Sequence, residues 1–387
     1  MKCTTLGGMF HTLGRIGPAV RLSAGLLLLA GMLPGCMGLP GSCGLDPPEA
    51  GQLGLPAPAT ADLDALLAGA PVRMQVFDPA ADDGYNGHHA PFAAVLPDGR
   101  LAAAWFSYEG PGELDGSQIR YAVLDGASAT WGSPRLLVGG SGSGNPVLLP
   151  EADGRLTLLY TQTPGFWALG QPRQREITPD GLPLGPSSPI VGEPGLNIRS
   201  RPLRLADGGL LLGAYSEISY SPVFLQRSPS GRWSTAARLD VFGAQAIQPV
   251  VLARRDGSLF GAFRPTGEDR RIQFRNGSAD GQCWSSAASG LFPNPLSSVD
   301  AMVLAGGAWL LAFNDVDSGR TRLAVSLSDD EGRTWSVPEV LVDERNAAYP
   351  SLAQTPDGVI HMLWSEDRQA IGHLRFTEPW LRWVSQP

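Results

Sequence analysis

One phrase of sequence occurs six times, and its first copy reads His88-His89-Ala90-Pro91, then Asp98-Gly99, then Ala103-Ala104-Trp105. A polar residue at or just before a proline is followed by an apolar run, by Asp-Gly or a relative, and by a second apolar run. The six prolines are Pro91, Pro146, Pro202, Pro249, Pro295 and Pro350, separated by 55, 56, 47, 46 and 55 residues. A mean period of about 52 residues is typical of a propeller blade made of four strands.

The apolar runs within each copy are short, partly alternating, and cut by Gly, Pro and Asp, which predicts strands and hairpins. A single small blade cannot bury a core, whereas a closed ring of blades removes the exposed edges. We therefore predict an all-β fold, a six-bladed β-propeller over residues 71–387. The free strand 72–77 precedes the first copy and is predicted to complete the last blade beside 371–376. The one good helical stretch, 61–68, lies outside the repeats.

The first 35 residues have the features of an export signal peptide. Basic residues extend to Arg21, and the apolar core that follows, 24–33, is too short to span a bilayer as a stable helix. The core ends in Leu33-Pro34-Gly35-Cys36, which resembles a bacterial lipoprotein cleavage box with Cys36 as the lipidated residue. The alternative is ordinary cleavage nearby and a soluble secreted product.

The segment 36–70 is rich in Gly, Pro and Ala and is predicted to be a flexible tether, as a lipid-anchored domain needs. We accordingly expect an exported protein, periplasmic or at the cell surface, that reaches the membrane only through its lipid anchor. A monomer is expected.

The charge of the chain restricts its partners. The formal net charge is −8, and without residues 1–35, which hold three basic residues and no acid, it becomes −11. Because such a chain repels phosphate backbones, nucleic acid is not an expected partner. Lys2 is the only lysine, so Schiff-base and phosphate-loop lysines are excluded from the exported part, and arginine must provide all cationic recognition.

Two cysteines lie beyond the signal region and the cleavage box. Cys43 belongs to the predicted tether and Cys283 lies near a predicted blade turn. A disulfide between them is compatible with an oxidising compartment, but two unrelated thiols are the expectation.

The histidines do not predict a metal site. His88 and His89 are adjacent on a strand and therefore point to opposite faces, so one site cannot easily use both. His361 and His373 lie within predicted strands and are interpreted as packed or surface residues. We predict no catalytic metal and no cofactor.

The best-formed local motif is Ser328-Asp-Asp-Glu-Gly-Arg-Thr-Trp335, which fits the pattern Ser-x-Asp-x-Gly-x-Thr-Trp. In such a motif the Ser and Asp side chains satisfy the amides of a turn, Gly permits positive φ, and Trp packs between blades. Asp330 is therefore predicted to be a turn residue on the side away from the pocket rather than a catalytic acid.

This motif is the Asp box, and with the six-fold phrase it makes residues 72–377 resemble the sialidase-like six-bladed propellers of the bacterial BNR-repeat class. The segments Gly144-Asn-Pro-Val-Leu, Ile247-Gln-Pro and Arg368-Gln-Ala-Ile-Gly-His add to the resemblance. The resemblance implies a carbohydrate substrate or ligand, and one propeller scaffold serves many sugars.

In propellers of this kind the innermost strands begin at the rim of the central channel. The resemblance therefore implies that the polar residues beside the repeated prolines converge there. These residues are His89, Asn145, Arg201, Gln248, Asn294 and Tyr349. Polar side chains around one concave site suit a sugar ring, which offers hydroxyls on every edge.

The resemblance also implies a cluster of three arginines that binds the carboxylate of the substrate. Arg264, in Ala262-Phe-Arg-Pro, matches the second arginine, and Arg320 matches the third. The position of the first arginine holds His89, so one member is missing. Arg201 and Arg368 are the candidates to replace it from other blades.

The tyrosine nucleophile of the family opens the final blade, where Tyr349 stands. The glutamate that takes its proton is matched by Gln248, which cannot accept a proton, and Glu217 is the candidate substitute. A base is needed because the pKa of free tyrosine is near 10. The acid/base aspartate that follows the second strand of the first blade is matched best by Asp115, with Glu113 next.

Three functions are compatible with these residues. The leading hypothesis is an exo-glycoside hydrolase of sialidase type that acts on an acidic, sialic acid-like sugar of a glycoconjugate or polysaccharide. In it Tyr349 attacks the anomeric carbon and Asp115 acts as acid and then as base. A non-catalytic carbohydrate-binding propeller is favoured by Gln248 and His89. A propeller lyase or another sugar hydrolase would use His89 as the acid or base.

Overall fold

The described chain is almost entirely β-structure. The structure is a computed structural model that describes residues 43–80, 84–126, 129–140, 142–240 and 243–386. The predicted signal region and Cys36 lie outside these residues, so export and lipidation stay predictions. Within the described ranges, no helix has the length and apolarity needed to cross a bilayer.

Six antiparallel sheets of at least four strands follow one another along the chain, preceded by two short strands and a helix. The preceding elements are β1 (Gln52–Leu53), α1 (Leu63–Ala68) and β2 (Val72–Gln75). Blade one comprises β3 (Gly87–Val95), β4 (Leu101–Tyr108), β5 (Gln118–Asp125), β6 (Thr130–Trp131) and β7 (Arg135–Val138). Blade two comprises β8 (Ser143–Pro150), β9 (Leu156–Gln162), β10 (Gln171–Ile177) and β11 (Ser188–Pro189), with a 3-10 helix at Trp167–Leu169. Blade three comprises β12 (Leu196–Ile198), β13 (Leu203–Arg204), β14 (Leu210–Ser216), β15 (Ser221–Arg227) and β16 (Trp233–Arg238).

The remaining blades have the same meander. Blade four comprises β17 (Ala246–Ala253), β18 (Leu259–Pro265), β19 (Arg271–Gly277) and β20 (Ala288–Pro293). Blade five comprises β21 (Asp300–Val303), β22 (Trp309–Asn314), β23 (Arg322–Ser328), the short β24 (Thr334–Trp335) and β25 (Glu339–Asp343). Blade six comprises β26 (Ala347–Gln354), β27 (Val359–Glu366) and β28 (Ala370–Thr377), and the helix α2 (Glu378–Val384) follows it. The predicted all-β, six-bladed propeller is confirmed.

The first and last parts of the ring are joined by a strand exchange. β2 pairs antiparallel with β28, with Val72 opposite Arg375 and Gln75 opposite Gly372. The early strand therefore completes blade six, as the sequence predicts. The pairing covers the outer edge of β28, whose main-chain groups would otherwise be unpaired.

Two helices flank the ring, and the sequence predicts only one of them. α1 lies within the predicted stretch 61–68 but begins at Leu63, because Asp62 caps it: the Asp62 carboxylate accepts a 2.9 Å bond from the Ala65 amide. α2 is missed because seven residues give too short a periodic pattern. Its start signal is nevertheless present in the sequence, since Thr377 caps the helix and Pro379 stands in its first turn.

The described part of the predicted tether lies against the propeller. We call residues 43–57 the N-terminal strap. β1 pairs in parallel with β24, and the Ala57 amide donates to Asp329 at 2.8 Å. Cys43 forms a disulfide with Cys283, with their Cα atoms 5.7 Å apart. The expectation of two unrelated thiols is therefore wrong, because the strap carries Cys43 to the 278–283 turn across 240 residues of sequence.

Four copies of the repeated phrase form the same irregularity in the innermost strand. Ala90, Asn145, Gln248 and Tyr349 each precede a proline and have positive φ angles of 49°, 49°, 51° and 59°. At each position the pairing with the next strand shifts in register, as it does at a β-bulge. A bulge re-aims a side chain. Here Asn145, Gln248 and Tyr349 meet the same group of side chains at the hub, the centre of the ring where the innermost strands begin. In the other two copies, the residue before the proline lies outside the strands.

The turn after β23 shows how blades four and five pack. Asp330 accepts bonds from the Thr334 amide (2.7 Å) and the Thr334 hydroxyl (2.8 Å), so its carboxylate staples the turn. The Trp335 ring is 1% exposed and contacts Phe274 and Phe292 of blade four. β23 ends at this turn, at the end of the strands away from Arg322, whereas Tyr349 lies at the opposite end of the sheets.

We expect Trp335→Ala to lower the free energy of unfolding by about 3–5 kcal/mol, because it leaves a large cavity between two blades. Trp383→Ala is the matched control: this tryptophan on α2 is 41% exposed, and its loss is expected to change stability by no more than about 0.5 kcal/mol. Denaturant unfolding monitored by circular dichroism measures both. Equal effects of the two substitutions would contradict this account of the core.

His361 and His373 are packed inside blade six. The Trp131 indole donates to Nδ1 of His373 (3.1 Å), Nε2 of His373 lies 2.9 Å from Nδ1 of His361, and Nε2 of His361 lies 3.2 Å from the Thr355 hydroxyl. This chain of bonds is complete when both imidazoles are neutral. Burial lowers the pKa of His361 to about 4 and that of His373 to about 3.

The two histidines predict a loss of stability in acid. The unfolded chain takes up their protons near pH 6.5, whereas the folded chain resists them down to about pH 4 and pH 3. The free energy of unfolding should therefore fall below pH 6.5, by up to about 1.4 kcal/mol per pH unit for each histidine. Denaturant titrations between pH 7 and pH 4 measure this slope. The double variant His361→Gln, His373→Gln should have a shallower slope, and an unchanged slope would refute the assignment.

Candidate active site

Tyr349 lies at the centre of a group of charged side chains at the hub. Its phenol oxygen accepts a 2.9 Å bond from Nη1 of Arg264. The guanidinium carbons of Arg199, Arg264 and Arg320 lie 5.6, 5.8 and 5.5 Å from the centroid of its ring. Burial raises the pKa of Tyr349, but the positive charges of Arg264 and Arg320 outweigh it, and the net result is a lowered pKa.

The two arginines matched from sequence are brought together. Arg264 lies in β18 and also donates to Oε1 of Gln248 (3.2 Å). Arg320 lies between β22 and β23, where its Nη2 donates to the Leu296 carbonyl at 2.7 Å. Burial, together with the charges of Arg264 and Arg368, lowers the pKa of Arg320. Like charges are thus held close to one another beside the phenol.

Arg368 brings a third guanidinium to the same place. It lies in the turn between β27 and β28, where its carbonyl accepts a 2.7 Å bond from the His88 amide. This contact sets it beside the first blade, where its charge acts on the pKa of His89. Nη2 of Arg368 forms a 2.5 Å ion pair with Glu113, from the loop between β4 and β5.

A second tyrosine lies beside the first. The Tyr215 hydroxyl accepts bonds from the amides of Asn145 and Gln248, both at 3.3 Å. Burial raises the pKa of Tyr215. Asn145 and Gln248 therefore lie beside Tyr215, and Gln248 links Tyr215 to Arg264. The sequence interpretation missed Tyr215 because it stands in a second strand, away from the repeated prolines.

Glu217 is the half-buried carboxyl group of this region, in the loop between β14 and β15. Burial raises its pKa, while a hydrogen bond from Tyr220 and the charge of Arg264 oppose that rise. Glu113 is close enough to act on the same pKa. Two carboxyl groups thus border the arginines, and the environment of Glu217 favours its protonated form.

His89 packs against the tyrosine. The ring centroids of His89 and Tyr349 are 4.2 Å apart, and Nδ1 of His89 lies 2.8 Å from the Ser365 hydroxyl. Burial, and then the charges of the neighbouring arginines, hold the pKa of His89 well below its ordinary value. The imidazole is only 2% exposed, and its lowered pKa keeps it neutral.

Three predicted site residues have other partners. Arg201 pairs with the buried Asp300 (3.2 Å) and donates to the Leu352 carbonyl, so its charge is engaged between blades. Asn294 bonds the Ser297 carbonyl (2.6 Å) and the Asn314 amide (2.9 Å), which fixes a turn outside the inner strand. Asp115 is exposed, and its carboxylate accepts a 2.8 Å bond from the Gly112 amide within its own loop.

The loop that holds Asp115 presents Glu113 to the hub instead. The charge of Glu113 acts on the pKa of Tyr349, whereas the carboxylate of Asp115 folds back against Gly110 and Gly112. Sequence reasoning ranked Asp115 first because it is the residue type of the family. The tight turn through 110–116 reverses that order.

Arg199 is the other hub residue that the sequence interpretation missed. It follows β12 and is 4% exposed. Its only sequence signal is its position two residues before Arg201 in the third copy of the phrase.

No group of three or more His, Cys, Asp or Glu in the described ranges is arranged to hold a metal ion.

The family is shown by a sequence profile. The profile of the BNR repeat-like domain matches residues 99–362, more than half of the chain. The chain therefore belongs to the BNR repeat-like domain family. No curated protein sequence shows a significant match to it.

Solved structures share the fold at low sequence identity. A Hadza microbial sialidase superposes with a TM-score of 0.68 and 16% sequence identity. The match covers 79% of this chain and 68% of the sialidase chain. The leech intramolecular trans-sialidase superposes with a TM-score of 0.66 and 14% sequence identity, over 79% of this chain and 70% of the trans-sialidase chain. The alpha-L-arabinanase of Penicillium chrysogenum superposes with a TM-score of 0.59 and 14% sequence identity, over 80% of this chain and 98% of the arabinanase chain. The chain thus has the propeller fold found in these glycoside hydrolases.

We expect Tyr349 to ionise at a lower pH than free tyrosine, because the arginine charges favour the phenolate. The near-ultraviolet difference spectrum between the native protein and Tyr349→Phe, recorded against pH, isolates this one phenol. Arg264→Met should move its midpoint upward by about one pH unit or more, since it removes the charge bonded to the oxygen. A midpoint that stays the same in Arg264→Met would contradict the electrostatic interpretation.

Proposed function

We propose that this protein is a sialidase-like exo-glycoside hydrolase that acts on an acidic sugar of a glycoconjugate or polysaccharide. The observation that carries the proposal is the gathering of Arg264, Arg320 and Arg368 around Tyr349. Among the described residues, the only carboxylate in an ion pair with these three arginines is that of Glu113. The positive charges of these three arginines repel one another, so a bound anion relieves the repulsion. A planar carboxylate can accept two parallel hydrogen bonds from one guanidinium.

The identity of the third arginine supports an acidic substrate. Arginine is absent from the family position in blade one, but Arg368 approaches the same place from blade six. The chain carries an overall negative charge. A local positive cluster in an acidic protein indicates selection of an anionic ligand at that one point.

The proposed reaction proceeds in two steps with retention. The Tyr349 oxygen, as phenolate, bonds to the anomeric carbon while the glycosidic bond breaks, and the carboxyl proton of Glu217 passes to the leaving oxygen. Water then attacks the anomeric carbon, Glu217 takes its proton, and the Tyr349 oxygen leaves. Glu217 has this role because burial raises its pKa, whereas the carboxylate of Glu113 is paired with Arg368.

A non-catalytic carbohydrate-binding propeller is the second candidate. Gln248 favours it, because an amide stands where the family has the glutamate that accepts the phenol proton. The lyase alternative is less well supported, since His89 is buried and its Nδ1 is engaged by Ser365. We further propose an exported protein anchored through Cys36, on the sequence signal alone.

The deciding experiment compares release of free sugar from a sialoside with release from the methyl ester of the same sialoside. We expect turnover of the acid and a loss of at least about 10²-fold for the ester, because the ester cannot pair with the arginines. Glycosides of other nonulosonic and uronic acids and of neutral sugars complete the panel.

Variants test the assigned roles. Tyr349→Phe and Glu217→Gln should each lower kcat by about 10²–10⁴-fold. Asp115→Asn is the matched control and should keep kcat close to the native value, since its carboxylate only caps a loop. Binding of acidic sugars without turnover would select the carbohydrate-binding candidate, and an unsaturated product absorbing in the near ultraviolet would select a lyase.

A further inference from the structure

Arg199 joins three blades at the hub with one guanidinium group. It belongs to blade three, and its Nη2 donates to the carbonyls of Pro91 in blade one (2.9 Å) and of Tyr349 and Pro350 in blade six (3.3 and 3.4 Å). A charged side chain is costly to bury unless its donors are satisfied. These contacts satisfy Nη2, whereas the buried Nε has no hydrogen-bond partner among the described residues. A buried charge kept at that cost indicates a specific role for Arg199 at this place.

Two of the three carbonyls that Arg199 binds, those of Tyr349 and Pro350, belong to the strained part of β26. Tyr349 has a φ of 59° and precedes a proline, and the pairing of β26 with β27 shifts between Ala348 and Ser351. A non-glycine residue in this conformation is strained and persists only where its surroundings hold it. Hydrogen bonds from Arg199 to both carbonyls of the 349–350 unit hold the main chain from which the phenol projects.

Arg199 also retains its charge for the phenol. The nearby carboxylate of Asp300 is bonded by Arg201 (3.2 Å) and by the amides of Leu352 (2.7 Å) and Ala301 (2.9 Å). Within the described part of the chain, the ion pairs do not include Arg199. Its guanidinium carbon lies 5.6 Å from the centroid of the Tyr349 ring, so the charge faces the tyrosine.

We propose that Arg199 is the positioning residue of Tyr349: it fixes the bulged 349–350 main chain and places a permanent positive charge beside the phenol, in compensation for the proton acceptor that Gln248 cannot be. The effect on catalysis rests on the proposed function, whereas the effect on the phenol does not. Support comes from the lowered pKa of Tyr349, to which Arg199 contributes.

The ionisation of Tyr349 responds to several groups besides Arg199. The charged and titratable groups around it are Arg264 of β18, Arg320 before β23, Glu113 after β4, His89 of β3, Tyr215 of β14 and Tyr220 after β14. Arg368, after β27, acts on its neighbours His89 and Arg320. All of these remain in an Arg199 variant. A change in the titration of Tyr349 therefore reports the loss of Arg199.

The test measures the ionisation midpoint of Tyr349 in Arg199→Met and Arg199→Lys, each against the same variant carrying Tyr349→Phe. We expect Arg199→Met to raise the midpoint, by less than Arg264→Met does, because Arg264 is bonded to the phenol oxygen and Arg199 lies over the ring. Arg199→Lys keeps a positive charge but replaces the planar guanidinium with a single ammonium on a shorter side chain, so it should give a smaller rise. If the protein hydrolyses an acidic glycoside, kcat should fall about tenfold or more in Arg199→Met, with KM nearly unchanged.

Arg275→Met is the matched control, because Arg275 is also buried (3% exposed), donates to a main-chain carbonyl (Ser285, 2.9 Å) and lies over an aromatic ring (Phe263, 5.8 Å). It should lose stability without moving the Tyr349 midpoint. If Arg199→Met does not fold, the Arg199→Lys midpoint decides. An unchanged midpoint in every folded Arg199 variant overturns the proposal, whereas a shifted midpoint without hydrolysis by the native protein supports it and refutes the proposed function.

Discussion

A left-handed residue directly before a proline, held in the innermost strand of a blade, is the constraint on which the hub depends. At Asn145, Gln248 and Tyr349 this conformation opens a bulge and turns a polar side chain toward the axis. Each such residue costs roughly 1–3 kcal/mol, so an isolated blade would relax to regular pairing. The closed ring prevents that relaxation, because each inner strand is held by its own blade and by its neighbours. The hydroxyl of Tyr215 and the guanidinium of Arg264 then link these side chains across blades.

The second feature of the hub is an excess of positive charge in an acidic protein. Three arginines from three blades meet there: Arg264 of blade four, Arg320 of blade five and Arg368 of blade six. The charges of Arg264 and Arg368 contribute to the lowered pKa of Arg320. Folding must hold them together against their repulsion, which the Leu296 carbonyl and the carboxylate of Glu113 only partly offset. Natural proteins keep such an arrangement where a ligand completes it. The ring supplies the rigidity, and the proposed anionic sugar supplies the missing charge.

The strap shows a different use of sequence distance. Composition predicts a flexible tether for 43–57, because Gly and Pro are frequent there and no periodicity is present. The structure instead has a two-residue strand on β24 and a disulfide to Cys283. Neither is readable locally, since each needs a partner more than 200 residues away. The pairing of β2 with β28 also joins distant segments. It could be predicted, because the sequence has one strand before the repeats and a last blade that lacks one strand.

Sequence by itself determined the features whose cause is local or periodic: six blades from a repeat of about 52 residues, the helix capped by Asp62, the turn stapled by Asp330, and Tyr349 at the start of the last blade. Tertiary structure alone decided which polar residues share the hub. It turned Arg201 toward Asp300, folded Asp115 onto its own loop in favour of Glu113, and brought in Arg199. The physical reason is that side-chain direction and ion pairing depend on neighbours from other blades, and their distances are set only when the ring closes.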